Sequence, residues 1–321
     1  MRAFVVKELA HPSRISLSRD VPEPVPGKNQ VLVDIYSAGL NFFDVGAARN
    51  QTGIAAGSPI PQGCPYKPGD RVFGAALGSF ADKVAADWNG LLPLPENITF
   101  DQGAGLYITW PTSYEALVGR AELKAGEWVL VTAAAGGVGI AAVQIAKALG
   151  ARVIAAAGAE AKLDVAKRVG GADYAINYSK PGWQKIVLEI TQGRGVDVIY
   201  DPVGLIKDSL KCIAWKGRAL VIGFAGGAIE KVPMNLVLLK NISIVGLHWG
   251  AYRTHEPSRI PTVWKNILDL FASGRTTPVT YDQIFTLEQL VDGLGAIERR
   301  ETWGKAVVRV KEERASEKAK L

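Results

Sequence analysis

Residues 128–158 read WVLVTAAAGGVGIAAVQIAKALGARVIAAAG, and this stretch decides the fold. Trp128–Thr132 is apolar and β-branched, which predicts a buried strand, and Gly139–Leu149 has the apolar spacing of a helix. A second strand is predicted at Arg152–Ala156. A strand, a glycine-rich turn, a helix and a second strand, in that order, are typical of a dinucleotide-binding unit, whose helix N-terminus receives the pyrophosphate.

Two glycines of this turn have expected tasks. Gly136 allows the backbone to approach the pyrophosphate, and Gly139 lets the helix pack tightly on the strand. The residues expected to hold the phosphates are Ala135, Gly136, Gly137, Val138 and Gly139. The alternative is a glycine-rich turn that only packs a helix against a sheet.

The rest of the chain falls into two kinds of pattern. Residues 1–108 read as short strands separated by Pro/Gly turns, whereas residues 109–252 alternate strand with helix, which predicts a doubly wound parallel sheet. Residues 253–321 are too few for a third domain and are expected to complete the first. We therefore predict an α/β protein of two domains.

Composition limits the class of protein. The 321 residues are 48% hydrophobic and 21% charged, the balance of a globular protein with a sizeable core. Two cysteines cannot build a disulfide framework and favour a reducing compartment. The N-terminus lacks a secretory pattern, and a buried strand and helix explain the charge-free run 128–146 better than a membrane span does. We expect a soluble, cytoplasmic protein with no membrane partner.

The net charge of +6 suits anionic partners. However, the basic residues are scattered, with no Lys/Arg stripe and no aromatic residues among them. This distribution argues against nucleic-acid binding as the main function.

Several segments together resemble one family. They are AAAGGVGIAAVQIAKALGARVIAAAG, GGADYAINY, GVDVIYDPVG, GRALVIGFAGG and KNISIVGLHWG, with AGLNFFD and KPGDRVFG nearer the N-terminus. The chain resembles the medium-chain dehydrogenase/reductases, and within them the zinc-independent, zeta-crystallin-like quinone oxidoreductases. The resemblance implies a GroES-like β-rich catalytic domain, a Rossmann domain that binds NADPH, an active site in the cleft between them, and a homodimer.

The resemblance also implies site residues. Asn41 in AGLNFFD is similar to the family's asparagine near the nicotinamide ribose, and Thr112 in PTSYEAL is similar to its cleft threonine. Ordinary turn capping is the alternative for each, and Asp44 is expected only to cap a helix. Further cofactor contacts are implied for Gly223, Phe224, Leu247 and His248. A satisfied histidine in the core is the alternative for His248.

Two related enzyme classes do not fit the sequence. None of the nine tyrosines has a lysine four positions later, as the short-chain dehydrogenases require. Asn41 stands where the zinc enzymes carry a cysteine, no histidine lies between His11 and His248, and two cysteines cannot fill a four-cysteine lobe. A metal-free reaction is therefore expected, with hydride passing to a quinone or an enone, because such acceptors delocalise the incoming charge.

One segment departs from the family pattern. Only 27 residues separate Asn41 from Gly69, and the family's Pro-Gly-x-Glu-x-x-Gly signature is missing between them. This departure keeps open the alternative of a dinucleotide-binding structural or RNA-interacting protein with little catalysis. Among enzymes, the alternative is an enoyl-thioester or alkenal reductase, which would use the same hydride geometry.

The cofactor is expected to be NADPH. NAD-selective domains carry an acid about 20 residues past the glycine motif, but here that position falls at Ala156–Gly158. Gly158 leaves room for a 2′-phosphate, Lys162 can meet it, and Tyr178 resembles the family's second phosphate partner. A solvated surface lysine is the alternative for Lys162. Glu160 is close enough to be suspected as a ribose acceptor, but interaction with the helix dipole is the simpler interpretation.

The chain ends Ala319-Lys320-Leu321, which resembles the peroxisomal Ser-Lys-Leu address. Peroxisomal targeting is therefore an alternative to the cytoplasm, and an arbitrary basic terminus is the simpler interpretation.

Overall fold

The computed structural model describes residues 1–6, 11–42, 44 and 64–313. Two compact units divide the chain: Met1–Tyr107 with Thr280–Leu321, and Ile108–Val279. The fold is α/β, as the alternation of strand and helix predicts. In the ranges just given, no helix is both long and apolar enough to cross a membrane.

The N-terminal part of the first unit is built from short antiparallel strand pairs. Its elements are β1 (Ala3–Phe4), β2 (Leu17–Ser18), β3 (Gln30–Asp34), β4 (Ser37–Gly39), β5 (Val72–Gly74), β6 (Lys83–Asp87), β7 (Leu91–Pro93) and helix α1 (Phe100–Ala104). The pairs are β1–β2, β3–β6 and β5–β7. β3 and β4 are separate strands, because β3 pairs with β6 while β4 belongs to a different sheet.

The second unit has one six-stranded parallel sheet. Its strands are β8 (Trp128–Val131), β9 (Arg152–Ala157), β10 (Tyr174–Asn177), β11 (Val196–Asp201), β12 (Ile213–Val221) and β13 (Ser243–Gly246). The strand order is β10-β9-β8-β11-β12-β13 and every pair is parallel. This is the doubly wound order of a dinucleotide-binding fold. Fully buried Leu130, Ile154 and Ile199 fill one of its cores.

Helices connect these strands. They are α2 (Leu106–Tyr114), which contains the boundary between the units, α3 (Gly137–Ala148), α4 (Glu160–Arg168), α5 (Trp183–Ile190), α6 (Ile206–Ser209), α7 (Met234–Lys240), α8 (Tyr252–His255) and α9 (Arg259–Ala272). Helix α6 ends at Ser209, and β12 begins soon after it at Ile213. The apolar residues 213–214 continue the buried sheet rather than the helix.

The chain returns to the first unit later than the sequence predicts. Residues 253–279 belong to the second unit, where α9 buries an apolar face that includes Val263 and Ile267 and where two buried polar side chains bind the segment. The Gln144 carboxamide accepts from the Thr277 N–H at 2.8 Å and donates to its carbonyl at 2.9 Å. Glu115 accepts a hydrogen bond from Arg259 Nη2 at 3.0 Å.

The last segment completes the first unit with β14 (Phe285–Thr286), α10 (Leu290–Glu298) and β15 (Val307–Arg309). β15 pairs parallel to β14 and antiparallel to β4. Leu40, Phe285, Leu290 and Val308 are among the buried residues of the shared core. The C-terminal segment thereby fixes the end of β4, which leads directly into Asn41.

Candidate functional site

The glycine-rich turn between β8 and α3 has the backbone geometry that the sequence predicts. β8 ends at Val131, Ala133 adopts a left-handed φ of 45°, and α3 begins at Gly137 with Gly136 as its N-cap. The Gly136 N–H donates to the Ala133 carbonyl at 2.9 Å, which closes the turn. The first N–H groups of α3 have no acceptor within the helix and can receive an anion.

Two glycines of this turn differ sharply in the space around them. A Cβ atom on Gly139 would lie 2.2 Å from the Ala133 carbonyl oxygen, a backbone atom that cannot move aside cheaply. A Cβ on Gly136 would lie 3.3 Å from the same oxygen. Gly139 is buried, whereas Gly136 is partly exposed. Gly139 therefore allows helix and strand to pack, and Gly136 lies on the accessible side of the turn.

The hydroxyl groups of Ser113 and Tyr200 form a buried pair next to the glycine-rich turn, and the sequence did not predict this pair. Ser113 Oγ lies 2.8 Å from the Val138 carbonyl oxygen and 2.9 Å from the Tyr200 hydroxyl. Burial raises the pKa of Tyr200, so its hydroxyl keeps its proton. Ser113 is adjacent to Thr112, and only the PTSYEAL context could have indicated it. The pair ties α2 and β11 to the start of α3.

Asp201, at the end of β11, is a second residue that the sequence analysis did not select. Its carboxylate is buried, accepts the Thr132 hydroxyl, and accepts the N–H groups of Gly204 at 2.9 Å and Leu205 at 2.7 Å. An acid at the carboxyl end of a parallel strand, in the segment DVIYDPVG, was the available signal. It fixes the loop after β11 against the end of β8.

The proposed cofactor residues lie at one edge of the sheet. Gly136, Gly158, Gly223 and Leu247 each follow the carboxyl end of a strand, namely β8, β9, β12 and β13. Carboxyl ends of parallel strands share one edge, where open α/β sheets bind their ligands. The Leu247 N–H donates to the Val221 carbonyl at 3.2 Å, which keeps the β13 loop beside the β12 loop.

Two further residues of this set are largely exposed. Phe224 is 45% exposed, and His248 is also on the surface. The interpretation of His248 as a satisfied core histidine is therefore wrong, because β13 is the last strand of the sheet and the loop after it faces outward. His248 Nε2 lies 3.5 Å from where a Gly250 side chain would begin.

The end of β9 is free of carboxylate, as the sequence shows. A Cβ on exposed Gly158 would lie 3.4 Å from Tyr178 Cε2, so the tyrosine ring borders the space above the glycine. The Gly158 carbonyl accepts from the Ser179 hydroxyl at 2.8 Å. Half-buried Lys162 lies in the first turn of α4. The structure thus brings Gly158 and Tyr178 into contact.

Glu160 is held by two partners at the same end of α4. Its Oε1 accepts from Asn177 Nδ2 at 3.0 Å and from Lys180 Nζ at 2.9 Å. The bond from Asn177 and the Lys180 ammonium hold the pKa of Glu160 below its usual range. Lys180 is a cation that the sequence analysis missed, since it lies 22 residues beyond Gly158, past the next strand.

In the first unit, Asn41 lies in a polar cluster with Asp44 and Lys305. Asp44 accepts the Asn41 N–H at 2.7 Å and its Nδ2 at 3.1 Å. Lys305 Nζ donates to Asn41 Oδ1. Burial lowers the pKa of Lys305 to about 8, against the opposing charge of Asp44, and burial raises the pKa of Asp44.

Other expectations have less structural content. Thr112 is half-buried on α2. Among residues 1–6, 11–42, 44 and 64–313, no group of three or more His, Cys, Asp or Glu side chains is arranged to hold a metal ion. Most of the shortened segment after Asn41, and the tripeptide Ala319-Lys320-Leu321, lie outside the described residues.

Comparison with known proteins gives one consistent result. A family model described as "Zinc-binding dehydrogenase" matches residues 137–273. Mouse quinone oxidoreductase-like protein 2 is 34% identical over an alignment of 328 residues, gaps included, which covers 97% of this chain and 92% of that protein.

Solved structures agree with this. A probable oxidoreductase from Mycobacterium abscessus is 32% identical, with a TM-score of 0.86 over 97% of this chain and 99% of that one. Escherichia coli quinone oxidoreductase, solved in complex with NADPH, is 26% identical, with a TM-score of 0.84 over 97% and 100%. Full-length similarity at this level, together with the sheet order and the glycine turn, shows that the chain belongs to the quinone oxidoreductase branch of the medium-chain dehydrogenase/reductases, a family of oxidoreductases.

Proposed function

We propose that this enzyme transfers hydride from NADPH to a quinone or an enone without a metal ion. The observation that carries the proposal is the carboxyl edge of the parallel sheet. There the glycine turn before α3 and the carboxylate-free end of β9 follow neighbouring strands. A pyrophosphate at Gly136–Gly139 and a 2′-phosphate above Gly158 suit these two features.

The preference for NADPH is supported by the charges around Gly158. The nearest acid in sequence, Glu160, already binds Asn177 and Lys180, so its negative charge is compensated. Lys162 adds a further positive charge in the first turn of α4. A ribose 2′-hydroxyl would find no carboxylate at Ala156–Gly158, whereas a phosphate would meet cations.

The expected chemistry assigns simple tasks to the protein. The nicotinamide supplies the hydride, and a conjugated acceptor spreads the arriving charge over its own oxygen. Asn41 and Thr112 are the proposed polar side chains of the reaction centre. Both Nδ2 protons of Asn41 have acceptors, Asp44 Oδ2 at 3.1 Å and the Gly39 carbonyl at 3.3 Å. Its Oδ1 already accepts one hydrogen bond from Lys305 Nζ, so the second lone pair of this oxygen is the proposed acceptor of a hydrogen bond from a hydroxyl group.

Parallel turnover assays test the proposal. NADPH oxidation is followed with 9,10-phenanthrenequinone, 1,4-benzoquinone and crotonyl-CoA, and we expect turnover with at least one of the quinones. Turnover with crotonyl-CoA alone would favour an enoyl-thioester reductase. Tight NADPH binding without turnover of any acceptor would favour a dinucleotide-binding protein with little catalysis.

A homodimer is part of the proposal. β13 is the last strand of the sheet, and its Ile244 side chain is 36% exposed. Helix α7, which precedes it, exposes Met234, Leu238 and Leu239 by 69% or more. An exposed strand edge beside an exposed apolar helix favours pairing with the same surface of a second copy. Light scattering should give a dimer for the wild type and a monomer for Leu238→Glu, and a monomeric wild type would refute it.

A further inference from the structure

A lysine is enclosed beside Asn41 in the first unit. Lys305 is only 7% exposed, although lysines are almost never fully buried. Its backbone is fixed, since its carbonyl accepts the Tyr281 N–H at 2.8 Å. The side chain runs from this anchored position to Asn41, where Nζ donates to Oδ1.

Glycines clear the path of this side chain. A Cβ on Gly105 would lie 3.0 Å from Lys305 Cγ, and a Cβ on Gly39 would lie 3.0 Å from Lys305 Cε. The Gly39 position is also blocked by the Ala104 carbonyl oxygen, at 2.2 Å. The lysine stem therefore fills a slot between β4 and the end of α1 that larger residues at these positions would close.

Lys305 and Asp44 together fix the orientation of the Asn41 carboxamide. Its oxygen accepts from Lys305, and its nitrogen donates to Asp44. A flipped carboxamide would turn its N–H groups toward an ammonium and its oxygen toward a carboxylate, so both contacts would become repulsive. One orientation of the side chain is thereby selected.

Core packing alone does not account for a lysine here. A buried charge is costly unless it is paired and hydrogen-bonded, and a methionine of similar length would fill the slot without that cost. We propose that Lys305 is a positioning residue that holds Asn41 with Oδ1 available to a hydroxyl group during hydride transfer. This inference rests on the proposed function, in which Asn41 acts at the reaction centre.

A double-mutant cycle tests the coupling. The variants are Asn41→Ala, Lys305→Met and the double variant, with Lys83→Met as a matched control, because Lys83 lies in the same unit in an exposed pair with Glu23. Loss of a charge-assisted bond predicts that Lys305→Met lowers kcat roughly ten- to a hundredfold. It should leave KM for NADPH nearly unchanged, and it should have no further effect when Asn41 is already alanine.

The pH profile separates positioning from a merely structural role. Among the described residues, Asp44 is the charged side chain that acts on Lys305, while Gly39, Ala104 and Gly105, which border the stem, carry no charge. We expect wild-type kcat to fall above about pH 8, where the ammonium loses its proton. The Lys305→Met profile should lack this fall.

The outcomes distinguish the two claims. An active enzyme whose Asn41→Ala variant keeps full kcat would refute the proposed role of Asn41, and the inference with it. A large loss for Asn41→Ala but none for Lys305→Met, or additive losses in the double variant, would refute the inference alone.

If Lys305→Met does not fold, Gly105→Ala tests the same inference. The new methyl group presses on the lysine stem, which should lower kcat less than Lys305→Met does. Gly90→Ala is its control, since the one described atom within 4 Å of a Cβ there is the Tyr107 hydroxyl, at 3.9 Å. Equal kcat for these two glycine variants would count against the inference.

Discussion

Replacing Gly139 by alanine is the most direct perturbation of the cofactor turn. The methyl group would lie 2.2 Å from the Ala133 carbonyl oxygen and 2.9 Å from the Ala133 carbonyl carbon and Ala134 Cα. All three are backbone atoms, so α3 and the turn must separate by roughly 1 Å to restore ordinary contact. Overpacking of a dense core costs about 1–3 kcal/mol, and a clash with backbone alone places Gly139→Ala at the upper end.

That cost has a thermal and a binding consequence. For a unit of this size, about 3 kcal/mol lowers Tm by roughly 6–12 °C. NADPH affinity should also fall, because the shift moves the first N–H groups of α3 away from the pyrophosphate. Differential scanning calorimetry gives the first quantity and titration of NADPH fluorescence gives the second.

Gly90→Ala is the control for this prediction. Gly90 lies in the first unit, whereas the cofactor turn and the proposed dimer edge lie in the second, and among the described residues a Cβ there comes within 4 Å only of the Tyr107 hydroxyl, at 3.9 Å. The control should change Tm by no more than about 2 °C, because substitutions away from special features stay near ±0.5 kcal/mol. If Gly139→Ala were as stable as this control and bound NADPH equally well, the packing argument for the turn would be wrong.

Lys162→Ala should weaken NADPH binding about ten- to a hundredfold and leave NADH unchanged, with Lys167→Ala on the same helix as control; equal losses for both cofactors would contradict it. Between pH 8 and 10.5 the unfolded chain keeps a proton on Lys305 that the folded chain releases. The unfolding free energy of the wild type should therefore rise with pH relative to that of Lys305→Met, by at most about 3 kcal/mol, which urea titrations at several pH values can measure. A difference independent of pH would refute this. Finally, elemental analysis should find no stoichiometric zinc and turnover should survive EDTA, whereas a metal required for turnover would overturn the metal-free reaction.

The parts of the fold that sequence could predict are those set by local periodicity. The strand, turn and helix around Gly136 were predictable because apolar spacing and glycine placement act within about ten residues. The late return of the chain was not, since the bonds that keep Thr277 in the second unit come from Gln144, 133 residues earlier. Nothing local to residues 253–279 signals that partner.

For the candidate site too, local motifs were predictable and long-range contacts were not. Asn41 and the glycine turn were selected by motifs, but Lys305 was not, because a lysine near a C-terminal strand looks like an ordinary surface residue. Its significance comes only from the enclosed path past Gly105 and from the Asn41 carboxamide at its end. Lys180 was not predicted for a related reason, because its partner Glu160 lies 20 residues away in the sequence.

The high glycine content has two distinct physical causes. Glycine makes up 35 of the 321 residues, and twelve of those in the described ranges have a left-handed φ suited to tight turns. Gly39 and Gly139 are not among these; each has ordinary backbone angles but a carbonyl oxygen 2.2 Å from where a side chain would begin. Glycine is needed at these two positions because other parts of the chain pack very close to them. The strand-to-helix turn packs against Gly139, and the end of α1 and the stem of Lys305 pack against Gly39. Close-approach glycines therefore lie beside both candidate functional clusters, because each cluster needs backbone brought nearer than a Cβ atom permits.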